Sequence, residues 1–156
     1  KPRSGKGLLF PLLISAVGDR PIGIQASQVA AAARWAMTQF PDEGPVTLVS
    51  RGRITGLAAL IATALETDAI AGANLHELLA SLEQVIEDNR SARVEPELFC
   101  YGLLEAFDIV QLSALAAPRE VRFVKPDDRM QKEMSGLSAW YQVFGIEFNP
   151  VSRRAQ

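Results

Sequence analysis

Short apolar segments alternate with helical patterns along most of this chain, and this alternation restricts the fold more than any other feature. Four segments have the length and the β-branched or alternating character of strands: Val46–Val49, Asp68–Ala73, Glu120–Val124 and Ile146–Phe148. Strands separated by helices are typical of parallel sheets with crossover connections. The sequence therefore predicts an α/β fold with a small, mostly parallel sheet of about four strands. One edge of so small a sheet needs to be covered by another chain or by a further segment.

The helical segments have recognisable ends. Gly18 and the turn Asp19-Arg20-Pro21 separate a short helix over residues 8–17, which is expected to be buried, from a second helix over residues 22–39. Further helices are predicted over Gly56–Leu65, from Asn74 to about Ile86, over Ile109–Ala116 with Asp108 as N-cap, and from Asp127 or Asp128 to about Phe144 with Gly145 as the C′ residue.

Composition removes several classes of function. The 156 residues hold 16 Lys and Arg against 18 Asp and Glu, so the basic excess that binds nucleic acid is absent. One His and one Cys cannot supply an ordinary zinc site or an intrachain disulfide. The apolar run Gly7–Val17 is shorter than the ~20 residues that span a bilayer. We expect one domain over residues 8–151, flexible ends at 1–7 and 152–156, no cofactor and no membrane span. Because the chain starts at Lys1, we also expect it to be part of a larger protein.

Three groups of motifs occur in a fixed order. Gly18–Gly23 precedes an Ala-rich helix with Ala33-Arg34-Trp35, the strand Val46–Val49 precedes a Gly-containing turn and another Ala-rich helix, and Leu103–Asp108 precedes Ala117-Pro118-Arg119 and the strand Val121–Val124. In this order they resemble the C-terminal half of bacterial α/β-hydrolase proteins of the acetyl xylan esterase type, over roughly residues 8–148. The resemblance implies a three-layer α/β/α fold and export from the cell. It also implies a Ser nucleophile on a strained turn, then an acid, then a His.

The nucleophile turn of that fold requires the pattern Gly-x-nucleophile-x-Gly, because strand and helix pack closely there. Gly52–Gly56 is the frame with both glycines, and it places Ile54, which has no nucleophilic atom, at the reactive position. If the reactive position is instead counted from the end of the strand, it falls on Gly52, and if it is counted back from the start of the helix, it falls on Arg53. The sequence therefore predicts a degenerate nucleophile turn.

Two hydroxyl side chains flank this turn. Ser50 has Gly52 two residues later, but Leu48 stands where the first glycine should be. Ser50 is thus either an unusual nucleophile or a residue that caps the strand end. Thr55 is likewise either an unusual nucleophile or, as we expect, the N-cap of the following helix.

The sequence offers candidates for the acid of a catalytic triad but no histidine in the position expected for the base. Asp127 and Asp128 follow the strand Glu120–Val124, where the acid of this fold would lie, but Asp is also favoured at helix N-caps. No His follows them, and His76 precedes them, on the surface of a predicted helix beside Glu77. The base is therefore missing from the chain order that the resemblance implies.

The remaining candidates concern binding. Arg51 and Arg53 follow a strand at the edge where ligands bind in open α/β sheets, so they are candidates for an anion site or are ordinary surface residues. Cys100 is expected to be a small buried hydrophobe. Three aromatic residues, Trp140, Tyr141 and Phe144, could form a sugar platform, although core or interface positions are the alternative.

These observations lead to three hypotheses. The first is a hydrolase-like domain without catalytic activity of its own, which serves structure, assembly or ligand binding. Its partners would be the remainder of the parent chain, a second copy or a carbohydrate. The second is a working esterase whose His comes from a missing segment or another subunit. The third is a simple oligomerising domain whose incomplete sheet pairs across a symmetry axis.

Overall fold

The computed structural model describes residues 5–151. In chain order, its elements are α1 (Gly5–Ala16), α2 (Pro21–Gln39), β1 (Val46–Arg51), α3 (Arg53–Leu65), β2 (Ile70–His76), α4 (Gln84–Glu87), α5 (Leu103–Ala106), α6 (Ile109–Ala116), β3 (Glu120–Val124), α7 (Asp128–Glu133) and α8 (Leu137–Val143). Residues 1–4 and 152–156 of the predicted flexible ends lie outside the described residues, whereas α1 already begins at Gly5.

The three strands form one open, parallel sheet in the order β1-β2-β3. The predicted α/β class and the small parallel sheet are therefore confirmed. Strand β2 approaches β3 closely at Gly72, where an added Cβ would lie 2.5 Å from the carbonyl oxygen of Glu120. Glycine is required here because any side chain would push the two strands apart.

One face of the sheet carries the core. Its positions, from β1 to β3, are Leu48, Ser50, Ala73, Leu75, Val121 and Phe123. Helix α3 packs on this face over β1 and β2, and α6 packs against β3 and α3. Leu57 and Leu60 of α3 are fully buried, since this helix has apolar or small residues on nearly every side.

The opposite face of the sheet is open at β1. Thr47, Val49 and Arg51 alternate with the core-facing residues and are exposed, with Val49 at 72%. Across the sheet, Asn74 and Arg122 lie in register with Val49 and are only half-buried. The helices that pack against the described sheet therefore cover its core face far better than its second face.

The structure corrects the predicted elements after the first crossover helix. Strand β2 continues to His76, so the predicted helix from Asn74 to Ile86 is wrong, and only the four-residue α4 follows. Residues 146–148, predicted as a fourth strand, lie in an irregular segment, and the described sheet has three strands rather than four. This segment still borders β3, because the amide of Phe123 donates to the carbonyl of Pro150 at 2.9 Å.

Helix α1 forms over the expected residues but is not buried. Leu9, Phe10, Leu12 and Leu13 are each more than half exposed, while Pro11 is buried against the rest of the protein. The prediction failed because an apolar sequence identifies residues that favour burial but supplies no surface to bury them.

The predicted helix from Asp127 or Asp128 to Phe144 is divided. Helix α7 ends at Glu133 and α8 begins after Gly136, which places Tyr141 in the core. The Tyr141 hydroxyl donates to the Arg119 carbonyl at 2.6 Å and accepts from the Val121 amide at 3.3 Å. The side chain thereby attaches α8 to the start of β3.

Candidate functional site

The carboxyl ends of the three strands meet at one edge of the sheet, where ligands bind in open α/β folds. Arg51, His76 and Val124 lie in register along this edge. The residue directly after each strand has a positive φ: 101° at Gly52, 58° at Glu77 and 55° at Lys125. The chain therefore turns sharply at each strand end on the same side of the molecule.

The turn between β1 and α3 consists of one residue, Gly52. Its φ of 101° and ψ of 163° are accessible to glycine and strained for other residues. Its amide donates to the His76 carbonyl at 3.0 Å, so the turn is attached to the end of β2. A strand, a strained single-residue turn and a helix follow one another here, and the turn residue carries no reactive side chain.

Close packing behind the turn depends on the second glycine of the frame. A Cβ added to Gly56 would lie 3.1 Å from Cδ1 of Leu78, the second residue after β2. The first turn of α3 therefore lies close to the segment that follows β2.

The predicted nucleophile position, Ile54, lies in the first turn of α3 and packs against the core. Helix α3 begins at Arg53, three residues earlier than the sequence indicates, so the position between strand and helix belongs to Gly52. Neither residue carries a nucleophilic atom.

Of the two candidate hydroxyls near the turn, that of Ser50 is buried and that of Thr55 donates to backbone carbonyls. Ser50 alternates with the exposed residues of β1 and faces the core side, where its Oγ is buried without a hydrogen-bond partner among the described residues. The prediction that Thr55 N-caps α3 is wrong. It lies inside the helix, and its hydroxyl donates to the carbonyl oxygens of Arg51 at 2.6 Å and of Gly52 at 3.3 Å.

The candidate acids lie where a later strand leads into a helix. Asp127 is the N-cap of α7, and its Oδ1 accepts the Met130 amide at 2.7 Å. Asp128 is the first residue of that helix and is exposed. Asp127 therefore makes the capping contact that was the alternative to a catalytic role.

His76 is not on a helix surface, as the sequence predicted, but at the end of the central strand β2. Its position is on the open face, beside Arg51 of β1 and Val124 of β3, and it is half-buried. Ser50 belongs to the core face. Strand alternation therefore separates this histidine from the serine by the thickness of the sheet.

Both arginines of the predicted anion site contact acidic residues of the protein itself. The Arg53 Nε donates to Glu95 Oε1 at 2.7 Å, and the nearly buried Glu95 also contacts Arg90 at 3.4 Å. The exposed Arg51 lies 3.6 Å from Glu77. Glu95 thus engages Arg53 closely, whereas the longer and exposed contact with Glu77 leaves Arg51 accessible.

A hydrogen-bond network around Asp108 is not indicated by any sequence pattern. This carboxylate accepts the amides of Leu82 at 2.6 Å and Ile109 at 2.7 Å, and the Ser81 hydroxyl donates to it. The predicted N-cap of α6 is confirmed, with Gln111 completing a capping box. The carboxylate also fixes the buried segment after β2, a contact across 26 residues that no local pattern reveals.

The remaining candidates show no reactive arrangement. Burial raises the pKa of the half-buried Cys100 thiol, which keeps the group protonated and unreactive. Tyr141 is buried, while Trp140 and Phe144 are partly exposed with their ring planes inclined at 74°. These three rings therefore do not form one flat platform for a sugar.

A groove of about 730 Å³ lies between α2 and α3, away from the strand ends. Small and apolar residues line most of it, including Ala30 and Ala31 of α2 and Ile61 of α3. An ion pair between Arg34 and Glu66 lies at its border, and the Arg34 guanidinium lowers the pKa of that carboxyl. None of the predicted site residues lines this groove.

Comparisons with protein-family models, with curated proteins and with solved structures give no match for this chain. Among residues 5–151, no group of three or more His, Cys, Asp or Glu is placed to hold a metal ion. In the same range no single helix has both the length and the apolar character to cross a membrane. The segments Pro96–Ala106 and Ile109–Ala116 satisfy this test only as a pair bent by 74°.

Proposed function

We propose that this chain is an α/β-hydrolase-like domain of the acetyl xylan esterase type that does not cleave esters and acts in assembly. The observation that carries the proposal is Gly52 at the turn where that fold holds its nucleophile. A glycine there keeps the strained backbone and leaves no oxygen or sulfur to attack a carbonyl carbon.

The surrounding polar groups support the same conclusion. Thr55 uses its hydroxyl on backbone carbonyls, and Asp127 uses its carboxylate to cap α7. Ser50 and His76 lie on opposite faces of the sheet, so the histidine cannot take a proton from that serine. The order of motifs supports the family, and the open second face of the sheet is where the third layer of a hydrolase would pack.

Hydrolysis of p-nitrophenyl acetate and of acetylated xylan tests this proposal. We expect no turnover above buffer and no covalent labelling by a fluorophosphonate. The control variants are Ser50→Ala and Ser138→Ala, the second of which removes a hydroxyl from α8, far along the chain from the turn. Turnover that is lost in Ser50→Ala but kept in Ser138→Ala would overturn the proposal.

A second candidate function is a working esterase whose His comes from another segment or subunit. The buried Ser50 Oγ favours it, because this hydroxyl has no hydrogen-bond partner among the described residues. Labelling of Ser50 by a fluorophosphonate would support this candidate. Absence of any label would remove it.

A further inference from the structure

The outer edge of β1 has the form of a strand-pairing site. Among residues 5–151, the sheet order β1-β2-β3 leaves no strand beside β1 on its outer side. The amides of Val46 and Gly52 donate toward β2, to Ala69 and His76 respectively. Because backbone groups alternate in direction along a strand, the odd-numbered residues Thr47 and Val49 direct theirs outward.

Between Val46 and Ser50 strand β1 carries no charge and no proline, whereas Pro45 precedes it and the one irregularity in its pairing with β2 lies at its start, between Val46 and Thr47. Exposed edges of natural sheets usually carry Lys, Pro, a bulge or a covering segment. The outward positions here are occupied by Thr47 and Val49, which are β-branched, uncharged and exposed, and therefore suited to pairing. The first charge within the strand is Arg51 at its end.

The charges at the two ends of β1 select the partner. Asp42 and Glu43 form an exposed turn just before the strand, and Arg51 closes it with its side chain 72% exposed. Antiparallel pairing of Thr47 of one copy with Val49 of the other would place Arg51 opposite Pro45, two residues from Glu43, at both ends of the interface. Parallel pairing would place like charges together, which is unfavourable.

The existing contact of Arg51 does not oppose this arrangement. Its ion pair with Glu77 is 3.6 Å long and both side chains are more than 60% exposed, so the pair adds little stability. The guanidinium can therefore turn toward a carboxylate of a second copy.

We propose that two copies of this chain pair antiparallel through β1 and form a continuous six-stranded sheet about a two-fold axis. The inference rests on the proposed assembly function and names its partner, a second copy. Backbone hydrogen bonds of Thr47 and Val49 hold the two copies together, and the charges near the strand ends favour the antiparallel orientation.

Light scattering and sedimentation of the full chain, over a wide concentration range, test the proposal. Val49→Lys places two positive charges near the two-fold axis and should yield a monomer with unchanged circular dichroism. The matched control is Val143→Lys on α8, where the replaced valine is 74% exposed against 72% for Val49. This variant should dimerise like the unmodified chain.

Amide hydrogen exchange locates the interface. In the dimer, the amides of Thr47 and Val49 should exchange at least tenfold more slowly than in the Val49→Lys monomer. A chain that is monomeric at every concentration overturns the proposal. So does a dimer that survives Val49→Lys with rapid exchange at Thr47, since another surface, such as the exposed side of α1, would then hold it together.

The same samples separate the two proposals. A monomer that neither hydrolyses esters nor takes up fluorophosphonate would overturn the dimer and leave the absence of chemistry intact. A dimer that is labelled at Ser50 would do the reverse.

Discussion

Replacing Asp108 by alanine should destabilise the protein far more than replacing the other helix-capping aspartate, Asp127. Both side chains cap a helix, α6 and α7 respectively. Asp108 also accepts hydrogen bonds from Ser81 and Leu82, which lie in the buried segment after β2. Comparing the two alanine variants therefore separates the stability contributed by helix capping from that contributed by the contacts of Asp108 with Ser81 and Leu82.

The size of the difference follows from the groups left unpaired. Loss of an aspartate N-cap costs about 1 kcal/mol. In Asp108→Ala, the hydroxyl of Ser81 and the amide of Leu82, residues that are 2% and 4% exposed, also lose their acceptor. An unsatisfied buried donor costs ~1–3 kcal/mol. We expect a total loss of about 4 kcal/mol for Asp108→Ala and about 1 kcal/mol for Asp127→Ala.

Urea unfolding followed by circular dichroism measures both variants. The midpoint should fall with an unchanged dependence on urea concentration, because the surface exposed on unfolding is the same. In thermal unfolding, the corresponding decreases in Tm are roughly 10 °C and 3 °C. Equal decreases for the two variants would show that the contacts of Asp108 with Ser81 and Leu82 contribute nothing, and would refute the reasoning.

Three further substitutions test the packing and the charges. Tyr141→Phe removes a hydroxyl that donates to a backbone carbonyl at 2.6 Å, and should lower the free energy of unfolding by ~1–3 kcal/mol in urea titrations. Gly72→Ala places a Cβ 2.5 Å from the Glu120 carbonyl, and should lower the urea midpoint by separating β2 from β3. The hydrogen bond from Arg34 lowers the pKa of Glu66 below its ordinary 4.5. The Arg34–Glu66 pair therefore stabilises the folded protein fully above pH 4.5, and this stabilisation is lost as the pH falls through the lowered pKa of Glu66. Urea titrations at several acidic pH values should show a steeper loss for the unmodified chain than for Glu66→Gln.

The elements that could be predicted from sequence are those with local signals. Strand β3 was predicted with its observed bounds, Glu120–Val124, because apolar and charged residues alternate there. Asp108 was identified as an N-cap because capping depends on residues within one helical turn.

The errors arose where distant contacts decide. Leu75, Leu79 and Leu82 have helical spacing, yet Leu75 belongs to β2 and the other two lie in the segment after it, and all three are buried in the same core. Apolar spacing predicts which side chains are buried, but pairing with β1 and β3 fixes the backbone as a strand. The network of Asp108 likewise joins segments far apart in sequence, so no local pattern could reveal it.

The candidate site depended on one boundary. The sequence begins α3 at Gly56, which leaves Ile54 in the turn, but the helix begins at Arg53 and leaves Gly52 there. An error of three residues changes which side chain stands at the reactive position, and helix ends are the least certain part of a sequence-based prediction. The proposal of an inactive turn does not depend on this boundary, because neither Ile54 nor Gly52 carries a nucleophilic atom.

The polar groups at the strand ends and the edge of β1 differ in what remains available for a partner. In a working active site, polar atoms are held in place but left free to meet the substrate. Here Arg53 is engaged by Glu95, and the carboxylate of Asp127 accepts an amide of its own helix. The outward backbone groups of Thr47 and Val49 have no strand beside them in the described chain. These outward backbone groups are the feature that supports the proposed association through β1, whereas Arg53 and Asp127 are already engaged within the chain.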